Sequence, residues 1–198
     1  MSEHRDYAGG KLGMWIFLFT EILLFGGLFL LYAAYLHRYP ADFNAGGKQL
    51  DVVLGAANTV ILITSSFTVA ASITALRLGQ TARCLWLLAA TVALALGFLV
   101  NKFFEWSAKI GHGIYPGSQH LLQMPPGENL FFGLYYAMTG LHGLHVLIGA
   151  TLLSVTAALV RKGRVTQGNF GLLENAGLYW HLVDLVWIFL FPLFYLIA

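Results

Sequence analysis

Tyr179-Trp180-His181-Leu182-Val183-Asp184-Leu185-Val186-Trp187-Ile188-Phe189-Leu190-Phe191 is the stretch whose reading decides the fold. It is apolar enough to enter a bilayer and runs almost unbroken towards the last residue, so it reads as a membrane-crossing helix. His181 and Asp184 nevertheless stand three residues apart, on one face of that helix. Ionisable groups at membrane depth cost a few kcal/mol on insertion scales, so they mark function or assembly and face protein or water rather than lipid.

Working outward, the whole chain has the same character. Its 198 residues are 58% hydrophobic and only 10% charged, with a positive mean hydropathy. These values place it among integral membrane proteins rather than soluble domains. The 11 basic and 9 acidic residues are scattered along the connections, with no basic cluster for a phosphate backbone, which excludes nucleic-acid binding. Cys84 is the single cysteine, so neither an internal disulfide nor a cysteine-based metal knuckle is available, and a small buried hydrophobe is its expected role.

With about 20 apolar residues as the length of a crossing helix, five spans emerge, at residues 13–36, 52–76, 84–104, 130–160 and 178–197. Continuous apolar runs select helices over barrel strands. The expected fold is therefore an all-α integral membrane protein, a bundle of five transmembrane helices forming one domain over residues 1–198. Arg5 and Lys11 before the first run resemble the start of a signal peptide, but the run is too long and lacks a small-residue cleavage site, which predicts a retained span. On the N-terminal side lie Arg5, Lys11, Arg77, Arg83, Arg161, Lys162 and Arg164; on the other lie Arg38, Lys48, Lys102 and Lys109. Seven against four predicts a cytoplasmic N-terminus and a C-terminus on the outer side. Residues 106–129 would be a structured outer loop without its own core.

Each span carries polar residues that ask for a reason. Glu21 interrupts the first, roughly 12 Å along the helix at 1.5 Å per residue. It reads either as a proton-path acid or as an acid hydrogen-bonded to a neighbouring helix. Asn58, Thr59, Ser65 and Ser66 in the second lie among small residues and read as helix-packing groups. Lys102 and Glu105 in the third are spaced i, i+3 and suit an interfacial ion pair. His142 and His145 share a face of the fourth. Their spacing lacks the glutamate of a zinc-protease helix, and no metal site is expected. A haem held between His145 and His181 would need both at one depth, and the span limits place His145 near mid-membrane and His181 close to one end. Glu174, His181 and Asp184 fall at i, i+7 and i+10, a line that either relays protons or forms a polar packing seam against the fourth span.

Taken together, Glu21 within Trp15 to Phe25, Asn58-Thr59 through Ser65-Ser66, Phe103-Phe104-Glu105-Trp106, Thr139-Gly140-Leu141-His142-Gly143-Leu144-His145-Val146, and Glu174 followed by Tyr179 to Trp187 closely resemble subunit III of the haem-copper terminal oxidases. The resemblance runs in order through all five spans. It implies a non-catalytic subunit in a bacterial inner membrane, packed against catalytic subunit I and with subunit II, and joining a larger respiratory supercomplex is a further partner reading. It implies phospholipid binding, support of proton uptake, no cofactor in this chain, and haem and copper in the partner subunits. Glu21 matches the family's carbodiimide-reactive membrane carboxyl; His142, His145, Glu174, His181 and Asp184 match polar positions of its last two helices and form the expected interhelical seam. Two departures stand out: the chain has the five-span form rather than seven, and Lys102 replaces an uncharged polar residue. The related subunit of nitric oxide reductases is the nearest alternative. An independent proton-coupled transporter has poorer support, because the sequence shows neither inverted repeats nor a helix broken mid-span, and a dihaem cytochrome b would show a haem band in the isolated chain.

Overall fold

A computed structural model describes residues 7–197. Arg5, counted above in the charge asymmetry, lies outside the described residues. Among the described residues seven helices follow in order: α1 (Tyr7–Arg38), α2 (Pro40–Gly47), α3 (Val52–Arg77), α4 (Thr81–Gly111), α5 (Gln119–Gln123), α6 (Pro126–Arg161) and α7 (Gly171–Tyr195). Five of them, α1, α3, α4, α6 and α7, are long and apolar enough to cross a membrane. Among the described residues the only extended pairing is an isolated bridge between Thr166 and Asn169.

Local chemistry sets the ends. Asp51 caps α3, its carboxylate accepting from the amides of Val53 and Leu54 at 2.9 and 3.0 Å. Gly79, with φ of 75°, turns the chain out of α3, where the left-handed backbone costs a side chain and glycine nothing. Pro126 opens α6 at its first turn, where the missing N–H is harmless. That start lies four residues before the expected span, and α7 starts at Gly171, seven before it, because a polar, amphipathic first turn precedes each apolar run. The 106–129 connection is shorter than expected, since α4 continues to Gly111 and α5 occupies part of the remainder. Leu121 of α5 is fully buried, as is Phe43 of α2, so both short helices lie on the bundle rather than forming cores of their own.

The helices α3, α4, α6 and α7 form a closed ring in which each touches two neighbours, and α1 lies outside it against α6 and α7. In its most apolar stretch α7 is 50% buried and α1 only 11%, so α7 is the central helix and α1 the peripheral one. In lipid no hydrophobic force separates Leu from its surroundings; small residues that let backbones approach carry the packing. Gly149 of α6 shows it, because a Cβ there would sit 2.7 Å from the Trp180 ring of α7. Large side chains on the exterior, such as Trp15, Phe67, Trp86 and Phe103, are what a lipid-facing surface requires. One end of the bundle, where α1 and α7 begin, is called the near end; the other, where α7 finishes, the far end.

Candidate functional site

At the near end Glu174 of α7 is bonded by the Arg77 guanidinium of α3, and Lys11 Nζ of α1 stands 3.4 Å from its other oxygen. One carboxylate thus ties three helices. A cleft of about 250 Å³ beside it is lined by Lys11, Arg77, Glu174, Leu178 and His181.

Deeper in, Glu21 of α1 meets His145 of α6, Oε2 to Nε2 at 2.8 Å. His145 Nδ1 lies 2.7 Å from the Leu141 carbonyl, which can only accept, so Nδ1 carries a hydrogen. The Glu21–His145 contact therefore holds a single proton, either on the carboxyl or on Nε2. Both side chains are about one-eighth exposed or less. Phe25 packs edge-on to the imidazole and Tyr179 stacks beside it, its hydroxyl 3.3 Å from the His145 carbonyl oxygen. That contact places His145 level with the Tyr179 turn of α7. The depth difference between His145 and His181 expected from the span limits is thus removed, because α7 starts seven residues earlier than those limits. Both nitrogens of His145 are hydrogen-bonded to protein groups.

Glu174, His181 and Asp184 of α7 do not bond to α6 as expected. His181 Nδ1 stands 2.6 Å from Ser66 Oγ of α3, and Asp184 also bonds Ser66. Next to His181, Trp180 Nε1 donates to Ser65 Oγ at 3.0 Å, and further along Trp187 Nε1 donates to Thr59 Oγ1 at 3.0 Å. The hydroxyl residues Thr59, Ser65 and Ser66 of α3 are thus the partners of the α7 face. The seam lies between spans two and five because α7 turns that face towards α3. Ser66, His181 and Asp184 do not form a hydrolase arrangement, since the carboxylate meets the serine instead of orienting the imidazole. His142 of α6 is fully buried between Phe98 and Trp187, with ring centroids 5.5 and 5.3 Å away, and neither nitrogen has a hydrogen-bond partner among the described residues. Asn58 accepts from Asn101 of α4 at 3.0 Å.

At the far end Lys102 and Glu105 pair at 3.0 Å, almost wholly buried. Sequence reasoning missed their companions, Tyr135 of α6 and Tyr195 of α7, which bond both charges. Nothing in the local sequence marks either tyrosine, in a chain whose aromatic content is 15%. Arg77 and Lys11 were visible only as topology charges. Beyond the pair a cleft of about 580 Å³ is lined by Asp51, Glu105, Lys109, His112 and His120, among others. Among the described residues no group of three or more His, Cys, Asp or Glu side chains is placed to hold a metal ion.

Comparison with known proteins gives a consistent result. Residues 4–198 match the family model described as Cytochrome c oxidase subunit III. The chain is 35% identical over 186 residues to cytochrome c oxidase subunit 3 of Synechocystis sp., spanning 93% of this chain and 74% of that one. It is 30% identical over 192 residues to cytochrome bo(3) ubiquinol oxidase subunit 3 of Pseudomonas putida, spanning 94% and 85%. It is also 30% identical over 214 residues to the heme-copper oxidase subunit I+III of Aeropyrum pernix, covering 98% of this chain and 24% of that longer one.

Proposed function

Since the chain belongs to the cytochrome c oxidase subunit III family, and is a multi-pass membrane protein of haem-copper oxidase type, we propose that it is the non-catalytic subunit of a respiratory oxygen reductase in a bacterial inner membrane. Its tasks are to support assembly, to bind phospholipid and to assist proton uptake by catalytic subunit I. The name of the Aeropyrum pernix relative joins subunits I and III, which supports direct packing of this chain on subunit I. The near end faces the cytoplasm, in keeping with its larger share of Lys and Arg. Haem and copper reside in the partner subunits, and the electron donor is set there.

The observation that carries the proton-supporting role is the Glu21–His145 contact. It is a one-proton site, two hydrogen-bonded titratable groups at membrane depth, and it also pins the peripheral α1 to the ring. Intramembrane acids paired in this way mark proton relays in many membrane proteins. Loss of the interhelical hydrogen bond should weaken α1 docking by about 0.6–1.7 kcal/mol.

In Glu21→Ala the expected result is an assembled complex whose rate of oxygen reduction is lowered, the more so as pH rises and proton supply becomes limiting. Spin labels on α1 and α6 should report a broadened distance. If the variant keeps both the wild-type rate at high pH and the wild-type distance, the contact has neither role.

A further inference from the structure

The far-end cluster has chemistry that an ion pair alone does not need. Tyr135 and Tyr195 each donate a phenolic hydrogen bond to the same oxygen of Glu105, Oε1, at 2.7 and 2.6 Å. Lys102 Nζ donates to both phenol oxygens, at 3.1 and 2.9 Å, and to Glu105 Oε2 at 3.0 Å. Tyr135 is 0% exposed, Tyr195 1%, Glu105 5% and Lys102 6%, so these bonds are largely shielded from bulk water.

A phenol gives up an electron readily only when its proton leaves at the same time, because the protonated radical is a very strong acid. Such a step needs a base within hydrogen-bond reach of the hydroxyl, and a donor to hold the oxygen left behind. Both are present here for each phenol: the Glu105 carboxylate is the base and the Lys102 ammonium the donor. The neighbouring oxidisable rings lack such a base. Trp187 Nε1 donates to a threonine hydroxyl, Tyr136 to the backbone carbonyl of Ile114, and Trp106 Nε1 has no acceptor among the described residues. These rings are close enough to one another to form a path. Trp106 and Tyr136 centroids are 5.2 Å apart, Tyr136 and Tyr135 5.3 Å, Tyr135 and Tyr195 6.4 Å, and Tyr195 and Trp187 6.3 Å. Trp106 and Tyr136 are partly exposed, which puts one end of the path at the surface.

We propose that Tyr135 and Tyr195, with Glu105 as proton acceptor, form a site that loses one electron and holds the resulting phenoxyl radical, reached from the surface through Trp106 and Tyr136. The oxidant is a lipid peroxyl radical in the bilayer. One electron tunnels from the phenol across the Tyr136 and Trp106 rings, which are not themselves left oxidised, to the peroxyl radical, which becomes a peroxide anion and takes a proton from water, leaving hydroxide. The O–H bond of the phenol breaks, its proton moves to Glu105 Oε1, and the phenoxyl oxygen keeps the hydrogen bond from Lys102. A quinol-class donor in the membrane returns the electron, becoming a semiquinone and releasing a proton to water, and the phenoxyl oxygen takes its own proton back from Glu105. The site would act as a sink that keeps oxidising equivalents from other parts of the subunit.

The test uses the purified complex containing the full chain, grown with ring-deuterated tyrosine or without it. Photogenerated tris(bipyridine)ruthenium(III) serves as the one-electron oxidant, and samples frozen after the flash are read by electron paramagnetic resonance. A tyrosyl signal whose hyperfine splitting collapses on deuteration is expected, lost in Tyr135→Phe/Tyr195→Phe and retained in Tyr115→Phe, an exposed tyrosine. Both phenylalanine changes keep the rings and the Lys102–Glu105 ion pair, and the signal is read only in complex that co-purifies with its partners. In Glu105→Gln, which keeps an acceptor oxygen but is not a base, the signal is also expected to disappear. Absence of a tyrosyl signal in the wild type, or a wild-type signal in the double phenylalanine variant or in assembled Glu105→Gln, overturns the proposal. In a second arm, peroxyl radicals generated in lipid vesicles around the complex should give the same signal; its absence there rejects the lipid oxidant.

Discussion

Glu105→Leu is expected to destabilise the protein by about 3–5 kcal/mol, because it leaves the Lys102 ammonium buried without its counter-charge. Lys102 reaches no carboxylate other than Glu105 among the ion pairs of the described residues, and the hydroxyls of Tyr135 and Tyr195 lose their shared acceptor in the same change. The desolvation cost of the pair is repaid only while both partners are present. The double variant Lys102→Met/Glu105→Leu should therefore regain most of the loss, since well-packed apolar replacement of a buried pair is commonly near neutral. Reversible unfolding in mixed detergent micelles measures both. Equal destabilisation of the single and double variants would show that the site is held by packing rather than by its charges.

Trp187→Ala is the second large effect, again about 3–5 kcal/mol, as for other large-to-alanine changes in packed interiors. The indole is fully buried in the ring of four helices, edge-on to Phe98 at 4.9 Å, beside His142, and under the Lys102 ammonium at 5.4 Å. Its removal opens a void facing α3, α4 and α6 together, and no single helix can shift to fill it. It also removes the hydrogen bond to Thr59. Trp187→Phe, which keeps most of the ring volume, should cost clearly less. The same unfolding measurement decides; a loss below about 1 kcal/mol for Trp187→Ala, the size of an average substitution, would mean that the interior repacks and that α7 is not the central helix.

The five crossing helices were legible because a bilayer imposes a length of apolar sequence that few other structures need. Their starts were less so. Hydropathy begins to count at the first apolar residue, whereas α6 and α7 open with the polar turns at Pro126 and Gly171. Those missing turns shifted the apparent depth of His181 and with it the argument that separated it from His145. The polar residues themselves could be picked out, since Glu21, His142, His145, His181 and Asp184 are costly at membrane depth. Their partners could not. Glu21 and His145 are separated by 124 positions, and Ser66 and His181 by 115. Which helix a polar face meets depends on the order of helices around the ring, and that order is fixed by close approaches such as Gly149 against Trp180. Lys102 and Glu105 announce themselves at i, i+3, but the tyrosines that complete their network come from residues 30 and 90 positions away from Glu105.

The central claim, that this chain is a subunit of an oxygen reductase with no haem or metal centre of its own, is tested most directly by purifying the tagged chain from native membranes in mild detergent. The partners are then identified, and metals and optical spectra are recorded before and after the subunits are separated. The account predicts co-purification with a large subunit containing haem and copper, oxygen consumption by the complex, and no haem band in the separated chain. A large partner with haem and non-haem iron, a chain that purifies alone and drives substrate uptake in liposomes, or a haem band that stays with the separated chain would contradict it.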